Sequence, residues 1–328
     1  MAQMICLQRW KWMHLDAFSH YAFMSATCSN QYGLMDGLLE ELEIQQLHSV
    51  SQSTIYLLRT WSLSLYTIPR QIKCFIIVGA VASANGSALA KIGCTTMLAA
   101  VKLEVMTPKL ESPDEGCIAI DFHMPPICSP LVRPGRPAEA APVITKQLTD
   151  IILSSGMIDL KELSLVSGKA AWLAYLDIYC LDADGSLFDA ALLSAVAAFS
   201  HLQIPVVSLN DNGRIVLISE ENSGAMWEKE PVNKEKRKLK LDTLPFSLTC
   251  ALHKNYILAD PSAEEESIME TYLTVVLDSS LQLVSLNKPG GPGLAQTSAI
   301  QDCVALTIKR VKELQKMLNE AISDMEVD

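Results

Sequence analysis

Between Ala170 and His201 the chain reads AAWLAYLDIYCLDADGSLFDAALLSAVAAFSH, and this run constrains the fold more than any other. From Trp172 to Leu181 it is almost continuously apolar, with Asp177 as its one charge, the pattern of a strand covered on both faces. Asp182-Ala183-Asp184-Gly185 follows as a tight acidic turn. Beyond it, Leu187, Phe188, Leu192, Leu193, Val196 and Phe199 leave a helix almost without a polar face. Such a helix is enclosed by other structure, so this strand–turn–helix is the spine of an α+β domain.

Shorter elements surround it. Strands are expected at Ile76–Ala82, Ser87–Ile92 and Thr95–Val105, with Asn85-Gly86 and Gly93 as turns, which makes an antiparallel meander. Cys117–His123 reads as a fourth strand, and Ala138–Ser154 as a helix. Between them lies MPPICSPLVRPGRPAEAAP, irregular and with six prolines among nineteen residues. Loops of that length in a compact domain are usually functional or interfacial.

After the spine, Pro205–Leu209 and Arg214–Ser219 read as a hairpin around Asn210–Gly213, followed by a charged stretch from Glu228 to Lys240. Four further strands are expected at Leu244–Leu252, Tyr256–Ala259, Tyr272–Leu277 and Leu281–Leu286. The Gly/Pro loop Lys288–Gly293 then leads to a long helix, Ser298–Met325. Ile300, Cys303, Val304, Thr307, Val311, Leu314, Leu318 and Ala321 share one side of that helix. Four strands, a loop and a helix thus occur twice, a duplicated β-β-β-β-α unit whose second copy starts near Leu244. Within residues 1–74, Gly37–Leu47 fits a short amphipathic helix and Ile55–Ile68 fits helix or strand; the segment has no place in the repeat. The expected organisation is an unplaced segment 1–74, a first half 75–212, a hairpin and charged insertion 213–243, and a second half 244–328.

Lys and Arg number 26 against 37 Asp and Glu, a net charge of −11. That balance argues against a free-standing nucleic-acid binder, whose affinity comes mainly from neutralising phosphates, but not against a subunit lending a few arginines to a shared channel. The nine cysteines are scattered without a C-x-x-C pair, so zinc ligation is not expected, and they read as reduced intracellular thiols. No apolar run reaches the roughly 18 residues of a membrane span, and no membrane partner is expected.

Asp182, Asp184 and Asp189 could hold Mg²⁺ or share acid–base work, or could shape the turn and face the positive end of the helix. The second reading is preferred. Asp260 with Glu264, Glu265 and Glu266 reads as a solvated turn face, with a metal or RNA-end site as the alternative. Arg133 and Arg136, in the proline-rich stretch, could grip phosphate bidentately. Lys234–Lys240 is interleaved with Glu and reads as a solvated insertion, with an RNA contact or nuclear address as the alternative. The six histidines are isolated, and nucleophile-elbow, Walker and dinucleotide motifs are absent. No cofactor and no metal are expected.

Five stretches in order, NGSALAKIGCTTMLAAVKLEV, MPPICSPLVRPGRPAEA, LDIYCLDADGSLFDAALLSAVAAF, ILADPSAEEE and NKPGGPGLAQTSAIQDCVALT, resemble the RNase PH-like subunits of the RNA exosome ring. The resemblance covers roughly Phe75 to Met325. It implies the RNase PH-like (ribosomal protein S5 domain 2-like) duplicated β-α fold, and a ring of such subunits around a channel for single-stranded RNA. The implied partners are other ring subunits, S1/KH cap subunits and RNA in the assembled ring; the implied locations are nucleus, nucleolus and cytoplasm.

Active members of the family bind phosphate at a Gly-Gly-Thr-Arg type turn and use acidic residues further along. The matching positions here are Asp184, Gly185, Ser186, Leu187 and Phe188, without an arginine. The resemblance therefore implies a non-catalytic ring subunit supporting 3′-to-5′ RNA degradation and ribosomal RNA processing; a phosphorolytic exoribonuclease active in its own right is the alternative. Arg133 and Arg136 match loosely the loop with which related subunits face RNA or a neighbour. One departure stands out: the Arg-Pro-Asp-Gly-Arg type stretch usual before the first hairpin does not occur between Ser49 and Gln71.

Overall fold

The computed structural model describes residues 73–130, 132–136, 138–209, 215–217, 237–253, 256–269, 271–289 and 296–325. The Gly37–Leu47 and Ile55–Ile68 readings, the Asn210–Gly213 turn and Lys234–Lys236 lie outside these residues. The meander forms from β1 (Cys74–Val78), β2 (Gly86–Ile92) and β3 (Thr95–Met106), joined to β4 (Cys117–His123). Helix α1 (Ala140–Ser154), a 3-10 turn (Leu160–Leu163) and the short β5 (Ser164–Val166) precede β6 (Ala170–Asp182) and α2 (Leu187–Ser200).

Strand β6 is not added at an edge. It lies between β3 and β4, giving the order β1-β2-β3-β6-β4 with β5 beside β6. It runs antiparallel to β3 and parallel to β4. Trp172, Ala174, Leu176, Ile178 and Cys180 on one face of β6 are fully buried, as expected. The other face is not: Tyr175, Tyr179 and Leu181 are 37%, 46% and 41% exposed, and Tyr179 stacks on His123 at 4.8 Å. The expectation of a strand covered on both faces is therefore corrected. Period-2 burial along β6 shows that the outer side lacks a covering layer among the described residues.

Helix α2 has the predicted environment. Every residue from Asp189 to Phe199 is buried, because α2 packs on β2 and β3 on one side and on the second half's sheet on the other. Gly86 shows how close the packing is: a Cβ there would lie 2.6 Å from the Ala198 carbonyl oxygen and 2.8 Å from the Leu202 Cα. The Asn85-Gly86 pair is accordingly not a hairpin turn. Strand β1 ends at Val78, residues 79–85 form the connection, and Gly86 already pairs with Val101 in the ladder. Asn85 instead clamps β3, accepting from the Leu103 N–H at 3.0 Å through its side chain.

After α2, β7 (Gln203–Ile204) pairs with β10 (Arg237–Lys238), and β8 (Val207–Leu209) with β9 (Ile215–Leu217). The second half comprises β11 (Phe246–His253), β12 (Tyr256–Ala259), α3 (Ala263–Ile268), β13 (Thr271–Leu277), β14 (Leu283–Asn287) and α4 (Thr297–Met325). Its sheet has the order β12-β11-β13-β14 and is antiparallel throughout. Cys303, Thr307, Val311, Leu314 and Leu318 of α4 are buried, at helical spacing. That helix packs on β11 and β13 and also on β1, so both halves share one core. The two halves repeat a sheet followed by a helix, but the first inserts α1 and β6 before its closing helix.

Candidate functional site

Where β6 gives way to α2, the chain turns through Gly185 at φ 81° and Ser186 at φ 45°, both left-handed. Thr95, buried on β3, holds the turn from below: its hydroxyl oxygen accepts from the Asp184 N–H at 3.0 Å and donates to the Gly185 carbonyl at 2.7 Å. From above, the turn presses on the start of α3. A Cβ on Gly185 would lie 2.2 Å from the Pro261 carbonyl oxygen, so only glycine permits the approach. Asp184 Oδ1 accepts from the Ala263 N–H at 3.2 Å, and the Ser186 hydroxyl donates to the Pro261 carbonyl at 3.4 Å. The two acidic stretches, far apart in sequence, thus form one floor.

The three consecutive glutamates do not share a face. Ser262 and Glu265 form a reciprocal capping box, at 3.4 Å and 2.8 Å. Glu264 is exposed. Glu266 turns inward, and its Oε1 accepts from the Ser186 N–H at 2.8 Å, at the N-terminus of α2. Burial pushes the Glu266 carboxyl above its usual range, Asp260 and Asp184 push it the same way, and the Ser186 N–H draws it back. Tyr272 fixes the far end of α3 by donating to the Glu266 carbonyl. Glu266 escaped the reading of the sequence as a solvated face. The Ser-x-x-Glu signature at Ser262–Glu265 places the helix start and could have singled out the next residue.

Asp189 is fully enclosed one helical turn deeper. Its Oδ1 accepts from the Ser247 hydroxyl and its Oδ2 from the Thr249 N–H, each at 2.6 Å, joining α2 to β11. Burial raises its pKa from 3.8 to about 6, with Asp260 adding to the rise; the bonds from Ser247 and Thr249 oppose it. Thr249 and Thr274 continue this polar network through a 3.0 Å bond between hydroxyls. Asp189 sits in the first turn of its helix, as expected, and its main work is to bridge the two halves.

Above this floor opens a cleft of about 930 Å³. Gly185, Ser186, Leu187, Phe188, Glu266 and Thr249 line its base, and Arg133 and Arg136 its wall. The structure thus gathers both arginines and the turn into a single site. The arginines are solvent-exposed, and Arg136 meets Glu139 at 3.7 Å in a surface pair of small energetic weight. They are the cationic residues among the described lining; Leu187 and Phe188 bring apolar surface to the base.

The other candidates lie elsewhere. Arg237 and Lys238, within the basic run, form the paired strand β10, and the Arg237 guanidinium donates to the Glu162 carbonyl at 2.6 Å. Both residues are exposed, in line with the solvated reading, but they form a paired strand and not an irregular loop. His201 accepts from the Ser87 N–H at 3.2 Å through Nδ1, remote from the cleft base. Among the described residues no group of three or more His, Cys, Asp or Glu is arranged to hold a metal ion, and no helix is long and apolar enough to cross a membrane.

The model of the 3′ exoribonuclease family, domain 1, matches residues 70–205, and that of domain 2 matches residues 243–310. The exosome complex component Rrp42 of Methanopyrus kandleri is 34% identical over 238 residues, covering 73% of this chain and 83% of its own. The exosome complex component rrp43 of Schizosaccharomyces pombe is 30% identical over 224 residues, covering 68% and 78%. A chain from the Archaeoglobus fulgidus exosome with RNA bound to the active site superposes with a TM-score of 0.63 at 29% identity, covering 75% of this chain and 88% of that one.

Proposed function

The chain belongs to the RNase PH type of the 3′ exoribonuclease family, and from that premise we propose that it is a core subunit of an RNA exosome ring that has lost phosphorolysis. It serves as scaffold and channel wall for 3′-to-5′ RNA degradation and ribosomal RNA processing, with other RNase PH-like subunits beside it and S1/KH subunits capping the ring. Nucleus, nucleolus and cytoplasm are the compartments this role requires. Residues 75–212 and 244–328 are its two halves, joined through 213–243.

One observation carries the loss of catalysis: the Glu266 carboxylate occupies the Ser186 N–H at the head of α2. A helix N-terminus with a free amide suits an incoming phosphate. Here an internal anion already takes that amide, and a phosphate dianion would meet Glu266, with Leu187 and Phe188 in place of a cation. Arg133 and Arg136 remain suited to RNA phosphates at the cleft wall, as positioning contacts without chemistry.

The test has two parts. The chain is co-expressed with ring subunits and should co-purify in one assembly. Purified alone, with labelled RNA, inorganic phosphate and Mg²⁺, it should release no nucleoside diphosphate. Release that Asp184→Asn abolishes would overturn the scaffold reading in favour of an active exoribonuclease.

A further inference from the structure

Cys128 stands in the proline-rich stretch that forms the arginine-bearing wall of the cleft, and Cys180 near the end of β6. Their side chains interact directly. The backbones meet at the same place, since the Ala183 N–H donates to the Cys128 carbonyl at 3.1 Å. Both thiols are free and buried, and the Cys180 Sγ donates to the Asp182 carbonyl at 3.6 Å.

A second thiol pair provides a contrast. Cys250 on β11 touches Cys303 on α4, and both are wholly buried between regular elements. Cys128 is placed differently. It belongs to an irregular segment whose neighbour Ile127 is 85% exposed and whose Arg133 and Arg136 face solvent. A loop of this kind opens locally at far lower cost than a strand or a helix in the core.

We propose that Cys128 and Cys180 are a disulfide-forming pair, oxidised by a peroxide, and that their bond staples the arginine-bearing wall of the cleft to β6. Cys128 reacts first, from the opened loop, because Cys180 is held within the ladder of β6. The Cys128 thiolate attacks a peroxide oxygen; the O–O bond breaks, the departing hydroxide takes up the proton that the Cys128 thiol released and leaves as water, and Cys128 becomes a sulfenic acid. The Cys180 sulfur attacks the Cys128 sulfur, the S–O bond breaks, and the departing hydroxide takes the Cys180 proton as water. Two thiols and one hydrogen peroxide become one disulfide and two waters. The cross-link is independent of the ring-scaffold reading, because it rests on the wall's attachment and not on what the cleft binds.

The test uses the full chain, purified under reducing conditions, treated with hydrogen peroxide at neutral pH, alkylated and digested without reduction. Mass spectrometry should find a cross-linked peptide pair carrying Cys128 and Cys180, lighter by two hydrogens, with loss of both free thiols. Amide exchange at Ala183 should slow in the oxidised protein. Cys180→Ala should trap Cys128 as a sulfenic acid that dimedone labels; should that variant not fold, the wild-type cross-link and the Ala183 exchange decide alone. Free Cys128 in protein whose exposed Cys94 is already oxidised overturns the proposal. Equal formation of a Cys250–Cys303 cross-link also overturns it, since that pattern marks oxidation of the unfolded chain.

Discussion

Replacing Asp189 with Asn puts a neutral isostere where α2 meets β11, and the consequence for stability depends on pH with a definite sign. The Asp189 carboxyl titrates near 3.8 in the unfolded chain and at about 6 in the fold, chiefly because it is buried. The folded state therefore holds its proton more tightly. Stability from this group is fully present below pH 3.8 and is lost as pH rises through about 6. The whole excursion is worth about 3 kcal/mol, and the part between pH 4 and 7 about 2 kcal/mol.

The Asp189→Asn variant has no such proton to lose. Its amide oxygen can still accept from the Thr249 N–H while its N–H₂ donates to the Ser247 hydroxyl, so both partners stay satisfied at every pH. The measurement is urea unfolding of wild type and Asp189→Asn from pH 4 to 7.5, followed by circular dichroism. Wild-type stability minus variant stability should fall by about 2 kcal/mol across that range. Other carboxylates titrate in both proteins and cancel in the difference. A flat difference, or one that grows with pH, would refute the assignment of a raised pKa to an enclosed Asp189.

Gly185→Ala should destabilise the chain by about 2–4 kcal/mol, from the left-handed backbone and the collision with the Pro261 carbonyl, read as a lower urea midpoint. His201 is held below its usual pKa by burial and by Lys238, so its contribution is present above pH 6.5 and lost as pH falls. His201→Gln should flatten that acid-side decline, and an unchanged slope would speak against it. In the assembled ring, Arg133→Ala with Arg136→Ala should weaken single-stranded RNA binding and lower the salt slope by about 1.4, as loss of two phosphate contacts requires. An unchanged slope would remove both residues from the RNA path.

Much of this protein was legible along the chain. Cys117–His123 and Tyr256–Ala259 match their predicted bounds, and α4 begins one residue from its expected start, because side-chain period and turn residues act over a few neighbours. The enclosure of α2 also followed from its own composition. The Asn85-Gly86 turn was misread for a tertiary reason: that glycine makes room for the end of α2. Only the folded chain decided that β6 enters between β3 and β4 with one face open, that Gly185 docks on Pro261, and that Glu266 points at the Ser186 amide. Those facts depend on contacts between residues distant in sequence, which no local period encodes. Leu187 and Phe188 at the turn stood in the sequence, while the carboxylate that meets the neighbouring Ser186 amide was placed by the packing of one half of the molecule on the other.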